Sequence, residues 1–263
     1  TGNLSRNDTL LMLRGATLIL PTVSFANVPQ LAVDLLIHNL DFKLVARLSN
    51  DYLYPFVSPI DTSVALSASD YGNEVVSTSL EVFYSKQHNL AVVQQRSPIL
   101  PGFTTLFIDD ILINGIFAEC SFSQIVLLIS NDMGASLNNN QIFLFHDNLD
   151  SIDKDSSKFA QTLKSRLISS ANEKPVVKTT EMYVYEGDNF NDAQALFKTV
   201  IERYLSNSIK YDDILTNNNK IVRNSSHGGK RSLTPSGLIQ PISWCGAYGD
   251  KPIPTSLEEG IFG

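Results

Sequence analysis

The sequence predicts an α/β protein: a central, largely parallel or mixed sheet flanked by helices. Three observations predict it. The uninterrupted apolar run Ile125-Val126-Leu127-Leu128-Ile129 reads as a central strand covered on both faces. Phe190, Ala193, Leu196, Phe197, Val200, Ile201 and Tyr204 recur at three- and four-residue steps, the spacing of an amphipathic helix. Strand-like and helix-like segments interleave along the chain, the order that packs helices against a sheet.

The elements follow in order. Residues 16–20 are apolar and β-rich and end at Pro21, predicting a buried strand. Asn27 is placed to cap a helix that takes Pro29 in its first turn, with Val28, Leu31, Leu35 and Leu36 on its apolar face down to about Leu40. Residues 43–48 predict a second strand, and 51–73 form a turn-rich stretch with Pro55, Pro59 and Gly72. Residues 79–84 and 90–95, separated by a short turn at Gln87-His88-Asn89, predict a hairpin. A helix apolar on most sides is expected over 104–117, a strand over 142–145, a helix over 159–168 on Phe159, Leu163 and Leu167, and a strand over 182–185. From about 211 to 241 the chain turns polar, through Asn217-Asn218-Asn219 and Ser225-Ser226-His227-Gly228-Gly229, and is expected to be a mobile insertion near 212–236. The whole chain, 1–263, is read as a single domain with that insertion and an extended tail near 250–263.

Composition narrows the function. With 263 residues, 43% hydrophobic and 18% charged, the chain has enough apolar content to build its own core. A net charge of -7 argues against nucleic acid as the main partner, since the one basic cluster, Lys220, Arg223, Lys230 and Arg231, has no interleaved aromatics. No run of 18 apolar residues exists, so no membrane span is expected. Cys120 and Cys245 fit two free thiols of a reducing compartment better than a disulfide. The chain begins at Thr1, which leaves a removed leader open.

The residues show little chemistry. His38, His88, His146 and His227 are far apart, and none has a Cys or His at i+3 or i+4, so no metal or other cofactor is expected. His146-Asp147 is the nearest approach to a catalytic pair, but it reads more simply as a strand-end histidine beside a turn aspartate. No glycine-rich phosphate loop is present. Glu186-Gly187-Asp188-Asn189 stands between a strand and a helix; Gly187 makes the turn, and Asp188 or Asn189 caps the helix.

Four blocks carry a resemblance. They are Leu20-Pro21-Thr22-Val23-Ser24 with residues 27–36; Leu80 to Tyr84 with Gln94-Gln95-Arg96-Ser97-Pro98; Glu186-Gly187-Asp188-Asn189 with Asp192-Ala193; and Pro241 to Gly249 around Trp244. In this order they resemble the proteasome assembly chaperone 2 family. The resemblance implies a non-enzymatic chaperone with a phosphorylase/hydrolase-like fold, in the cytoplasm and also the nucleus. It implies a heterodimer with proteasome assembly chaperone 1, which covers an apolar patch, and binding to the α-subunits of the proteasome α-ring during 20S core particle assembly. The polar stretch near 212–236 departs from the family. So does the end of the chain, where Ile261, Phe262 and Gly263 replace a hydrophobic–tyrosine–any-residue tail. The tail docking that the resemblance implies falls on those three residues. An enzyme on a nucleoside-phosphorylase-like scaffold is the alternative; a regulator of the mature proteasome is a third reading.

Overall fold

The structure, a computed structural model, describes residues 11–59, 76–134, 142–148, 158–169, 175–187, 189–224, 233–241 and 244. The strands are β1 Thr17–Pro21, β2 Lys43–Arg47, β3 Val57–Pro59, β4 Val76–Thr78, β5 Leu80–Ser85, β6 Leu90–Gln95, β7 Gln124–Asp132, β8 Phe143–His146 and β9 Val176–Val184. The helices are α1 Val28–Asn39, α2 Phe107–Phe117, α3 Lys158–Ser169, α4 Phe190–Tyr204 and α5 Tyr211–Asn224. Seven strands form one sheet in the order β2-β5-β6-β1-β7-β9-β8, and β3 pairs with β4 apart from it. β6, β1, β7 and β9 run parallel; β2, β5 and β8 run antiparallel to their neighbours at the two sides. The sheet is therefore mixed, as expected.

Alternation along β7 builds the two layers. Val126 and Leu128 face a core shared with α1, α4 and α5, while Ile125, Leu127 and Ile129 face a second core shared with α2 and α3. All five are essentially inaccessible to solvent. Each such side chain contributes about 1.5–3 kcal/mol relative to exposure, so this one strand anchors both layers.

Several expectations change in detail. α1 is buried nearly all round, with Ala32, Val33 and Ile37 as deep as Leu35 and Leu36, and Leu31 only half-buried. It is covered by the sheet, by α4, and at its end by the segment that brings the Ile239 carbonyl to the Asn39 amide. Asn27 precedes α1 in a left-handed conformation (φ 53) and makes no side-chain cap. Asn189 does not cap α4 either; its amide donates to the Gly187 carbonyl within the turn, while Asp188 lies outside the described residues. β9 begins six residues before the expected start, at Val176.

Residues 107–117 are a π-helix, as the Ala118 amide bonding to the Ile113 carbonyl illustrates. Gly115 fits this winding, since a Cβ there would lie 3.0 Å from the Asp110 carbonyl oxygen.

The reading of residues from 212 onward as an unstructured insertion is corrected over Tyr211–Asn224, which forms α5. Ile214 is buried, and Asn218, 2% exposed, donates to Asn39 Oδ1 at 2.8 Å and to the Gly237 carbonyl at 3.3 Å. Its spacing of Tyr211, Ile214, Leu215 and Ile221 gives one apolar face despite the asparagine run. Residues 225–232 lie outside the described residues.

Candidate partner-binding rim

The C-terminal ends of the parallel strands form one rim of the sheet, where open α/β sheets place their functional residues. β1 leaves it through Thr22 and Ser24, which bind the strand beside them. The Thr22 hydroxyl donates to the Leu128 carbonyl at 3.0 Å, and Ser24 Oγ accepts from the Ser130 amide at 3.0 Å. The turn into α1 then passes through Ala26 and Asn27, both at positive φ.

Beside this turn lies a buried charged network. Arg96, at the end of β6, donates to Asp34 Oδ1 of α1 at 2.9 Å; the two side chains are 6% and 7% exposed. Gln94 Nε2 donates to the same carboxylate at 2.7 Å and to the Gln30 carbonyl at 3.0 Å. Glu81, fully buried on β5, reaches Arg96 at 3.8 Å and accepts from Arg47 Nε at 3.2 Å. An arginine at this depth is tolerable only with such partners.

The network fixes the strand exit that follows it. Gln95 donates to the Ser97 carbonyl at 2.9 Å, Ser97 donates to the Tyr54 carbonyl at 2.7 Å, and the Tyr54 amide donates to the Pro98 carbonyl. On this braced backbone stands an aromatic surface. Tyr54, Phe103 and Leu106 are exposed, and the Tyr52 ring lies 5.9 Å from that of Phe103. The Tyr52 hydroxyl donates to Asp110 at 2.5 Å; that bond, with burial and the charges of Asp110 and Asp51, holds the phenol above its ordinary pKa.

The far side of the rim carries Ile142 and Tyr185, both exposed. Behind them Trp244 packs on Phe190 with ring centroids 4.5 Å apart. The first block meets the second through Asp34–Arg96, and Phe190, the residue after Asn189 of the third block, packs on Trp244 of the fourth. Periodicity could not have paired them.

The expected sites fall differently. His146 Nε2 lies 3.4 Å from Glu181 Oε1, and Asp147 accepts from Arg203 at 3.3 Å, so the two neighbours turn to separate partners. Cys120 is buried, which pushes its thiol up to about 11. Among the described residues no three His, Cys, Asp or Glu side chains cluster to hold a metal ion, and no helix is long and apolar enough to cross a membrane. Ile261, Phe262, Gly263 and Cys245 lie outside the described residues.

A groove of about 630 Å³ opens between the end of α1, the β5–β6 turn and α5, lined by Asp41, His88, Lys210 and Asp213 among others. It belongs to the opposite edge of the sheet, where Asn89 receives the first amide of β1. None of its lining comes from the four blocks.

Comparison with known proteins gives concordant results. Proteasome assembly chaperone 2 of Saccharomyces cerevisiae is 27% identical over 277 residues, covering 88% of this chain and 94% of the yeast protein. Proteasome assembly chaperone 2 of Danio rerio is 41% identical over 97 residues, 37% of this chain and 36% of its own length. A Thermoplasma acidophilum protein of unknown function shares the fold, with a TM-score of 0.57 at 10% identity, over 85% of this chain and 93% of its own. A sequence model of the PAC2 family matches residues 18–199, from inside β1 to inside α4, and so spans the central sheet and the rim built on it: the chain belongs to the PAC2 family.

Proposed function

We propose that this chain is a proteasome assembly chaperone without catalytic activity. It acts as a heterodimer with a homologue of proteasome assembly chaperone 1, binds the α-ring and promotes correct assembly of the 20S core particle. The observation that carries the reading is the family match over 18–199 together with near full-length similarity to the yeast proteasome assembly chaperone 2. The rim supports it: its exposed side chains Tyr54, Phe103, Leu106, Ile142 and Tyr185 are large and apolar, as befits a surface that meets other proteins. The groove lies at the other edge, away from the rim that serves as the ligand site in open α/β sheets.

The reading extends to the tail segment Ile261-Phe262-Gly263, which docks between neighbouring α-subunits. It places the chaperone in the cytoplasm, with the nucleus as a second compartment. The test is reconstitution with the proteasome assembly chaperone 1 homologue and purified α-ring intermediates on native gels. Expected is a ternary species that loses affinity when residues 261–263 are removed in a background where the partner's tail is also deleted. Absence of any α-ring complex, or turnover of a nucleoside substrate by the purified chain, would sink the reading.

A further inference from the structure

We infer that the surface formed by Tyr52, Tyr54, Phe103 and Leu106, rimmed by Asp51 and Asp110, is where the second chaperone chain docks, presenting a lysine or arginine beside an apolar side chain. The inference rests on the heterodimer proposed above and locates its interface.

The surface has both halves of such a site. Phe103 and Leu106 are three residues apart at the entry to the π-helix, 38% and 47% exposed, and Tyr54 is 44% exposed. Tyr52 lies against Phe103 and extends the same face. Aromatic side chains concentrated in this way suit a permanent interface better than a transient one. The second half is charge. Asp110 accepts from Tyr52, and both Asp110 and Asp51 act electrostatically on that phenol, so two carboxylates border the rings. Neither pairs with a cation among the described residues. Asp109, the next carboxylate on the π-helix, is already matched by Arg166 at 3.0 Å. An unneutralised acidic border around an apolar centre is complementary to a basic residue flanking an apolar anchor. The scaffold is prepared as well. Leu100 and Tyr52 share a backbone bond, Ser97 holds Tyr54, and the Asp34–Arg96 network braces the strand exit, so little ordering cost remains at docking.

The test co-expresses the full chain with the proteasome assembly chaperone 1 homologue and measures affinity by titration. The double variant Phe103→Ser/Leu106→Ser and the single variant Asp110→Arg should each weaken binding about 10-fold or more. Asp110→Asn should flatten the salt dependence of wild-type binding. A control on another exposed face, Val176→Ser, should bind as wild type. Variants that keep the wild-type melting temperature and the wild-type affinity overturn the assignment. Variants that bind the partner normally but lose the α-ring overturn it too, since the surface then faces the ring. A benzophenone amino acid placed at position 103 in the otherwise native chain should cross-link to the partner; cross-linking only to α-subunits, or to nothing, rejects the docking site without recourse to a destabilised variant. If the wild-type chain itself fails to bind the homologue, the heterodimer reading fails first and this surface assignment falls with it.

Discussion

Asp34 and Arg96, 62 residues apart in the chain, meet at 2.9 Å with both side chains more than nine-tenths buried. The pair joins α1 to the exit of β6, and Glu81 adds a second carboxylate 3.8 Å from the same guanidinium.

Removing one partner should be worse than removing both. Asp34→Ala removes the 2.9 Å carboxylate partner of the buried Arg96 and is expected to cost about 3 kcal/mol. Asp34→Leu combined with Arg96→Met should be less destabilising than the sum of the single changes. Denaturant unfolding of the four proteins measures the coupling; additivity would show that the pair is energetically inert.

Trp244 is the only tryptophan of the chain, so its emission reports on one place. It is 4% exposed, packed at a tilt against Phe190, and its indole N–H has no hydrogen-bond partner among the described residues. Trp244→Ala should cost about 3–5 kcal/mol. Trp244→Phe should cost much less, because the smaller ring also removes a buried donor. Equal losses for the two changes, measured by circular dichroism melts, would contradict this.

Cys120 should be chemically silent in the folded protein. Burial raises its thiol to about 11, so thiolate is scarce at pH 7.5 and access is closed. Maleimide treatment followed by peptide mass mapping should label Cys120 only after denaturant is added. Fast native labelling at that peptide would be the contrary result.

His88, on the groove, has its pKa lowered by burial, with Asp41 opposing the shift. The folded form therefore prefers neutral imidazole. Its contribution to stability is complete above the unfolded value of about 6.5 and is lost as pH falls through the lower folded value. His88→Gln should flatten the stability curve below pH 6.5 relative to wild type, as read from urea midpoints between pH 5 and 8.

Asn218 ties α5 to the end of α1 and to Gly237. Asn218→Ala should cost about 1–2 kcal/mol, since Asn39 and the Gly237 carbonyl lose a buried donor. Amide exchange should be slow around Ile214 and Asn218. Exchange there at the rate of an open chain would favour the loop reading over the helix.

How much of this was legible follows from the kind of signal each element gives. α4 was found over its full span, 190–204, because its apolar residues repeat at helical steps with few exceptions. The β5–β6 hairpin was found because both strands are β-rich and a short polar turn divides them. α5 was missed because Asn217, Asn218 and Asn219 dominate its composition, and one of them, Asn218, serves the core through hydrogen bonds instead of apolar area. The first half of β9 was missed for a related reason: Lys178, Thr179, Thr180 and Glu181 do not read as a strand, yet Thr179, Thr180 and Glu181 are buried, and Glu181 is bound by Asn131 at 2.8 Å. The rim could not be assembled from the sequence at all. Its key pairs join residues whose proximity exists only once the strand order is known.

That strand order also sets when the molecule can first hold together. β1 is the earliest strand among the described residues, yet Thr17 has Leu90 on one side and Gln124 on the other. Its second partner, β7, begins only at Gln124, more than 100 residues further along the chain. Such long-range parallel pairing closes large loops before any contact rewards the loss of chain freedom. Nascent chains stopped before 124 should be cleaved readily by protease across β1, while chains stopped beyond 204, with β7, β9 and α4 complete, should protect it. A protein proposed to guard the assembly of others thus leaves β1 unguarded until β7 has been made.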